Sequence, residues 1–478
     1  MPRLCFNSIY YPAINASNWD GCATFRRILA GFLVLALFLF ASNPALAADQ
    51  IDESFVTRLV QVLSGDQQLS TEALDELSDT WQLSYVAPLL ETISLMRNRP
   101  RVIQIFEVLR TNTGEAFNFD IQRWYGWLWN QQYEMAPEYA EYKAWLFASI
   151  DPRFRGYFSR GRNSTVRLDE VRWGGVIQDG IPPLRFPEMI DAADADYLDD
   201  RNIVFGLEIN GDARAYPKRI LAWHEMFVDR IADIPLIGVY CTLCGSMIIY
   251  ETQQGDTNYQ MGTSGFLYRS NKLMYDQDMQ SLWNTLWGKP VIGPLVGQNI
   301  QLKRRSVVTT SWGAWRRRHP DTTVLSLNTG YRRDYGEGVA YRDYFATDEL
   351  MFNVPELDRR LKNKDEVLGI ILPEYPDQSL AIAVEYLSGH QLLHEEIGEL
   401  RFVIVTDDNG ASRVFEANDT RFTQWNGDDV LTDEEGQRWR LSESRLINDQ
   451  GTELLRLPAH RAFWFGWYSA YDQTRLIH

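Results

Sequence analysis

The stretch Ile234-Pro-Leu-Ile-Gly-Val-Tyr-Cys241-Thr-Leu-Cys244-Gly245-Ser-Met-Ile-Ile-Tyr250 decides how the second half of the chain folds. Two apolar runs rich in β-branched residues flank a Cys-x-x-Cys-Gly corner, which reads as strand, tight turn, strand. At positions i and i+3 of a turn, the two Cα atoms lie within about 7 Å. That separation suits a disulfide, half of a Cys-x-x-Cys metal knuckle, or a redox pair.

From Asn202 onward the sequence keeps this texture of short alternating strands and Gly or Asn corners, and Asn210-Gly211 between two such runs signals a hairpin. The pattern recurs in one order. Gly245–Glu251 matches Gly410–Glu416, and Trp283-Asn284 matches Trp425-Asn426. Gly297-Gln298 matches Gly436-Gln437, and Trp312-x-x-Trp315 matches Trp464-x-x-Trp467. Two related β-rich units are therefore expected, over 202–345 and 365–478, packed as a pseudo-symmetric pair. In the second unit Thr406-Asp-Asp-Asn409 replaces Cys241–Cys244, while the following glycine stays, as expected of a residue that closes the turn with a positive φ. Only the first unit carries extra chain, Gly262-Thr-Ser264-Gly265-Phe-Leu-Tyr268-Arg-Ser-Asn271-Lys-Leu-Met274-Tyr275-Asp276. Thiols and insert occur in the same copy, so one site built from both is expected.

Upstream, residues 161–201 are rich in Gly and Pro and read as a linker running over the surface of the β-rich units. Residues 48–160 have helical periodicity, with Leu59, Val62 and Leu63 on one face and Leu74, Leu77 and Trp81 on another. Ser70 or Thr71 is expected to cap the second helix. The aromatic run Phe117 to Trp129 reads as core packing. The fold class is α+β: an N-terminal α-helical, helix-pair repeat-like segment followed by a duplicated, β-rich pair. Ahead of it, Arg26-Arg27, the apolar run 28–41 and Pro44-Ala-Leu-Ala47 form an export leader cleaved after Ala47, which predicts a periplasmic or otherwise exported protein without stable membrane insertion. Cleavage removes Cys5 and Cys22 and leaves Cys241 and Cys244, in a compartment that is often oxidising.

Composition excludes some classes. The net charge is 47 − 64 = −17 over 478 residues with no basic run, which argues against nucleic acid as partner. No glycine-rich phosphate loop, Gly-x-Ser-x-Gly elbow or His-Glu-x-x-His helix occurs, so no nucleotide cofactor is expected and hydrolase chemistry has no motif behind it.

The series Gly180-Ile-Pro-Pro, Ala213-Arg-Ala-Tyr-Pro217, Trp223-His224-Glu225, Tyr240-Cys-x-Leu-Cys-Gly245, Ser264-Gly265-x-Leu-Tyr268, Asn271-x-Leu-Met-Tyr-Asp276 and His319-Pro-Asp-Thr322 resembles the bacterial domain-of-unknown-function family 3179. The resemblance runs from about Gly174 to the C-terminus, and the helical segment resembles the N-terminal extension of some members. The family pattern has Pro where Thr242 stands, a change that should not abolish the turn. The resemblance brings no established activity, so function must come from the site.

As a metal centre, Cys241 and Cys244 need further ligands. His224 is the first candidate, against the bland reading of a satisfied structural histidine. Met274, Glu225 and Asp276 are additional candidates, with Met247 and Met261 weaker. Thiolates with an imidazole and a thioether suit copper; a carboxylate in the set suits zinc. Tyr268, Asn271, Tyr275 and Trp283 are candidate pocket residues, and no catalytic residue is assigned. Three readings stay open: a soft-metal site, a thiol–disulfide oxidoreductase using the same pair, and a non-enzymatic scaffold with a structural disulfide whose helical segment offers a protein-binding surface.

Overall fold

The computed structural model describes residues 53–159 and 161–478. The leader read over residues 1–47, with Cys5 and Cys22, lies outside the described residues. Six helices open the described chain: α1 (Glu53–Val62), α2 (Gln67–Asp79), α3 (Val86–Leu95), α4 (Arg99–Thr113), α5 (Ile121–Trp129) and α6 (Tyr139–Ala148). Side-chain caps set their starts. Asp66 accepts the N–H groups of Gln68 and Leu69, Asn98 that of Arg101, and Asp120 those of Gln122 and Arg123. The second helix thus begins earlier than its Ser70/Thr71 reading, because Asp66 takes the capping role and Ser70 Oγ instead donates to the Val62 carbonyl. Gly114, at φ +77°, ends α4.

The apolar faces of these helices do not close on themselves. Leu59, Leu90, Trp124 and Phe147 share one core with Phe266, Leu273, Tyr275 and Ile292 of the insert region. Lys143, fully buried on α6, binds the Glu91 carboxylate and the Val171 carbonyl, tying helices to sheet. The aromatic run on α5 is core: Trp124 is buried and meets Phe117 edge-on at 5.2 Å.

The β-rich part begins inside the stretch read as a surface linker. Strand β1 (Val171–Trp173) lines the edge of the insert sheet, Leu184–Arg185 runs parallel to Met226–Ile231, and Met189–Asp191 pairs with Thr323–Leu325. Its Gly-Pro breaks separate short edge strands, and Val171 and Leu184 are buried. Next come β2 (Ile203–Ile209), β3 (Asp212–Pro217), α7 (Lys218–His224), β4 (Met226–Ile231), β5 (Ile234–Cys241) and β6 (Ser246–Glu251). The β2–β3 hairpin turns on Asn210 and Gly211, both at positive φ, in line with its sequence. The insert supplies β7 (Met261–Tyr268), β8 (Asn271–Asp276), β9 (Leu282–Asn284) and β10 (Lys289–Ile292), joined to β1 in a five-stranded sheet. Strands β11 (Lys303–Arg305) and β12 (Val308–Ser311), helix α8 (Trp312–Arg318) and β13 (Thr323–Leu325) complete this half.

After residue 365 come β14 (Glu366–Ile371), β15 (Ser379–Ala383), α9 (Val384–Gly389), β16 (Leu392–Ile397), β17 (Leu400–Thr406) and β18 (Ser412–Glu416). A four-strand meander over 422–448 leads to β19 (Glu453–Leu457), β20 (Ala459–Phe463), α10 (Trp464–Ala470) and β21 (Arg475–Ile477). The sheet order β12-β2-β3-β13 has its counterpart in β20-β14-β15-β21, with antiparallel, antiparallel and parallel neighbours in both. Trp315 Nε1 donates to Thr322 Oγ1 at 2.9 Å, and Trp467 Nε1 to Thr474 Oγ1 at 3.0 Å.

Each of these tryptophans lies on a glycine. A Cβ at Gly206 would sit 2.2 Å from the Trp315 ring, and one at Gly369 would sit 2.1 Å from Trp467. Gly206→Ala and Gly369→Ala are each expected to cost about 3 kcal/mol or more through overpacking, read from urea unfolding midpoints; a loss within 0.5 kcal/mol, the usual range for a surface change, would show that the indoles are not seated there.

Candidate functional site

Strand β5 runs out at Cys241, paired with Ser246 of β6, and Thr242–Gly245 form the corner. Gly245 adopts φ +59°, and its counterpart Gly410 adopts φ +80°. Neither the corner nor its neighbour tolerates bulk. A Cβ on Gly245 would lie 2.9 Å from the Phe463 ring, and one on Gly466 of α10 would lie 2.9 Å from Cys244 Cβ. The Phe463 N–H donates to the Cys244 carbonyl at 2.7 Å. The C-terminal half thus closes over the thiols.

Both cysteines are buried, with free thiols. The β7–β8 hairpin of the insert reaches them. Its two turn residues, Arg269 (φ +47°) and Ser270 (φ +65°), both hold the left-handed conformation that such a turn normally assigns to Asn or Gly. Arg269 is held there by Glu170, and the turn presents the Ser270 carbonyl to Cys244 Sγ at 3.5 Å. Asn271 Nδ2 donates to Cys244 Sγ at 3.3 Å. Ser246 Oγ, Ser270 Oγ and Asn271 Oδ1 are buried without a protein partner, as in sites that hold a polar guest or ordered water.

The two sulfurs are tuned in opposite directions. Burial pushes the Cys241 thiol up, but hydrogen bonds from the Cys244 thiol and from the backbone N–H groups of Lys272 and Cys244 outweigh it, leaving Cys241 below the ordinary thiol value. Burial raises Cys244 well above that value, and its hydrogen bond to Cys241 and the nearby Cys241 charge raise it further.

A buried ion pair sets the local charge. Glu225 ends α7 in the left-handed conformation, φ +55°, which swings its carboxylate under the corner. Its Oε2 meets Lys272 Nζ at 3.2 Å, and Oε1 accepts Thr242 Oγ1 at 2.8 Å and Tyr341 OH at 3.1 Å. Lys272 Nζ also donates to the Glu225 carbonyl at 3.0 Å. Burial lowers the Lys272 ammonium, while the charges of Glu225 and Cys241 pull it back up. The ammonium is thus bound to the carboxylate, with the Cys241 charge near enough to raise it, while the Glu225 charge raises Cys241.

A segment of little regular structure lies over the site. Tyr344, Val354, Phe463 and Phe465 share an apolar cluster with Cys241 and Cys244, with Tyr341, Phe345 and Phe352 at its edge. Tyr344 OH donates to the Leu243 carbonyl at 2.7 Å, and Lys364 Nζ sits 3.4 Å above the Tyr344 ring. With both sulfurs sealed, reagents reach them only through local opening. Tyr344→Phe removes one latch worth about 1 kcal/mol, so alkylation of Cys241 by iodoacetamide should quicken about fivefold. An unchanged rate would mean this latch does not limit access.

The other residues singled out from sequence lie elsewhere. His224 Nδ1 donates to the Pro182 carbonyl at 2.9 Å, and Nε2 accepts from Tyr335 OH at 2.6 Å. Both nitrogens are occupied, which corrects the expectation of an imidazole offered to the thiols. Asp276 accepts the N–H groups of Met279 and Ser281 and Trp283 Nε1, so it caps a turn. Met274, Met261 and Trp283 fill the core under β5, Met247 fills the adjoining one, Tyr268 packs on Trp287, and Tyr275 OH donates to Asp179 at 2.5 Å. Among the described residues no group of three or more His, Cys, Asp or Glu side chains is arranged to hold a metal ion. Sequence reading overlooked Lys272, Thr242, Tyr341 and Tyr344. For Lys272 a signal existed, a single cation within the apolar strand Asn271–Asp276, all of it buried.

Fold and site define a β-rich protein with a buried pair of free thiols at one strand corner and an N-terminal helical extension. Residues 178–474 match the model of a family described as protein of unknown function (DUF3179), and the chain belongs to that family. No curated protein and no solved structure matches the chain. Among the described residues no helix is long and apolar enough to cross a membrane.

Proposed function

We propose that the chain carries a two-electron dithiol–disulfide centre, with Cys241 as nucleophile and Cys244 as resolving thiol, acting on a small disulfide. The observation that carries this reading is the hairpin Arg269–Lys272, which brings a backbone N–H to Cys241 and a carbonyl and a side-chain amide to Cys244. The Cys241 thiolate attacks one sulfur of the substrate disulfide and expels the other as a thiolate. Cys244 then loses its proton and attacks the Cys241 sulfur of the mixed disulfide, expelling the second thiolate. One S–S bond forms in the protein as one breaks in the substrate, and two electrons pass to it. The buried Ser246, Ser270 and Asn271 oxygens without partners suit a small polar substrate. The leader pattern of residues 26–47 supports an exported setting.

The test is equilibration in glutathione or dithiothreitol redox buffers, followed by alkylation and mass spectrometry of the peptide holding both cysteines. A reversible two-electron transition is expected between about −120 and −270 mV, the span of exchange proteins. Cys244→Ala should accumulate a mixed disulfide on Cys241, and Cys241→Ala should accumulate none. A pair that stays reduced throughout, or is locked below about −300 mV as structural disulfides are, overturns the reading.

A soft ion held by the two thiolates alone is the second reading, favoured by two adjacent sulfurs in a dry site and suiting copper(I) best. Reconstitution under reducing conditions with copper(I) or zinc, then elemental analysis, should give one equivalent in the native chain and none in Cys241→Ser. We also infer that the 202–345 and 365–478 units descend from one ancestral unit. Their common strand order, the paired tryptophan–threonine bonds and the equivalent positive-φ glycines support this.

A further inference from the structure

A second site is built where the two β-rich halves meet. A cavity of about 920 Å3 opens between β11 and the β14–β15 connection, lined also by Trp287, Tyr471, Leu455 and Arg456. Its volume falls in the range of pockets for small organic ligands. Leu207, Ile209, Leu302, Leu372 and Leu457 give it an apolar wall.

The charge on that wall is not balanced. Strand β11 is Lys303-Arg304-Arg305, and Glu251 answers Lys303 at 3.1 Å and Arg305. Arg304 has no carboxylate partner among the described residues. Its Nε donates to Tyr250 OH at 3.4 Å, and Nη2 donates to Tyr471 OH at 2.9 Å and to the Leu286 carbonyl, all neutral groups. Its Nη1 has no protein partner among the described residues. Across the cavity, Arg456 pairs with Glu443 at 3.0 Å but leaves Nε buried and unpartnered. Of the other acidic lining residues, Glu374 and Asp377 are exposed and Glu208, half-buried, accepts the Gly211 N–H. A guanidinium never loses its charge, and half-buried Arg304 meets only neutral groups in the protein.

From this cavity we infer a binding site for an organic acid: a carboxylate on Arg304, with an apolar body along the leucine wall. A guanidinium N–H to a carboxylate is a strong, charge-assisted bond, and the neutral partners on Nε and Nη2 fix the side chain with Nη1 left to make it. The apolar wall excludes inorganic anions as the intended guest, because they leave most of the cavity unfilled. This site is separate from the dithiol and does not depend on its proposed chemistry.

Isothermal titration of the full chain with octanoate, octanol and inorganic phosphate tests the assignment. Octanoate should bind saturably at one site, and octanol and phosphate at least tenfold more weakly. Arg304→Gln should weaken octanoate at least tenfold at unchanged circular dichroism. Equal binding by the variant, equal binding of octanol, or no saturable octanoate binding overturns it. Should Arg304→Gln not fold, the native protein still decides: octanoate must protect Arg304 from phenylglyoxal modification, mapped by mass spectrometry, and unprotected modification rejects the site.

Discussion

Lys272→Met is expected to raise the Cys241 thiol by one pKa unit or more and to slow its alkylation near neutral pH about tenfold, because an adjacent opposite charge is worth about 1–3 units. The same change should cost about 3–5 kcal/mol of stability, since it leaves Glu225 buried without its cation. Both effects have one structural cause. Lys272 Nζ pairs with the Glu225 carboxylate, the Cys241 charge raises Lys272, and burial makes each charge dependent on the others. The double variant Lys272→Met/Glu225→Gln separates them. It should recover much of the lost stability, because no unpaired charge remains, and should bring the thiol part of the way back down, because the Glu225 charge that raises it is gone as well. Urea unfolding reads the first quantity, and the pH dependence of iodoacetamide alkylation reads the second. If the single variant alkylates at the native rate, the ammonium does not activate Cys241, and the pair loses its claim to be a tuned nucleophile.

The corner was legible because its constraints are local. A Cys-x-x-Cys-Gly between two β-branched runs admits few backbones, and Gly245 and Gly410 both took the positive φ that the turn requires. The link between insert and thiols was legible from the comparison of the two halves, since a lobe present only beside the sulfurs has a restricted set of places to go. The partners across the site were not. Glu225, read as a zinc ligand, finds its cation through β8, 47 residues away, and strand pairing of that kind leaves no trace in spacing. His224 adjoins Glu225 in sequence, but α7 ends between them. The left-handed turn at Glu225 sends its carboxylate to Lys272, while the His224 ring stays with Pro182 and Tyr335. Alternation along β8 likewise separates the insert's candidates: Tyr275 joins the core shared with the helices, and Met274 the core under β5. The helical segment was legible as helices from its period, though not from its cap, which Asp66 supplies in place of Ser70 or Thr71, and the surface its apolar faces cover belongs to a sheet more than a hundred residues downstream.

Mild acid should unfold this protein with an uptake of close to two protons, from His224 and His460. Burial lowers His224 to about 4, with Arg333 adding to the shift against the opposing bond to Pro182, and burial with the Arg304 charge lowers His460 to about 3. Protonating either ring in place disturbs its surroundings. His224 Nε2 already accepts the Tyr335 hydroxyl, and His460 Nε2 is sealed without a partner beside the Trp467 ring. An unfolded histidine titrates near 6.5, so between that pH and the folded values the unfolded state binds the extra protons. The stability these neutral rings contribute is therefore complete above about pH 6.5 and falls as the pH drops, by about 1.4 kcal/mol per unit for each ring. Together they remove about 2.7 kcal/mol per unit between roughly pH 6 and 4, a large share of a typical total of about 5–15 kcal/mol. Glu443, which burial would raise but Arg413 and Arg456 hold well below the carboxylate range, adds a loss of the same sign at lower pH, whereas Glu91, raised by burial, works in the opposite direction. Urea unfolding at pH 7, 6, 5 and 4.5 measures the slope directly. His460→Gln should reduce it from about two protons to about one while leaving the midpoint at pH 7 nearly unchanged. A native slope below one proton over that range would mean that these rings are charged in the folded protein, and that the packing around Tyr335 and Trp467 is looser than the structure has it.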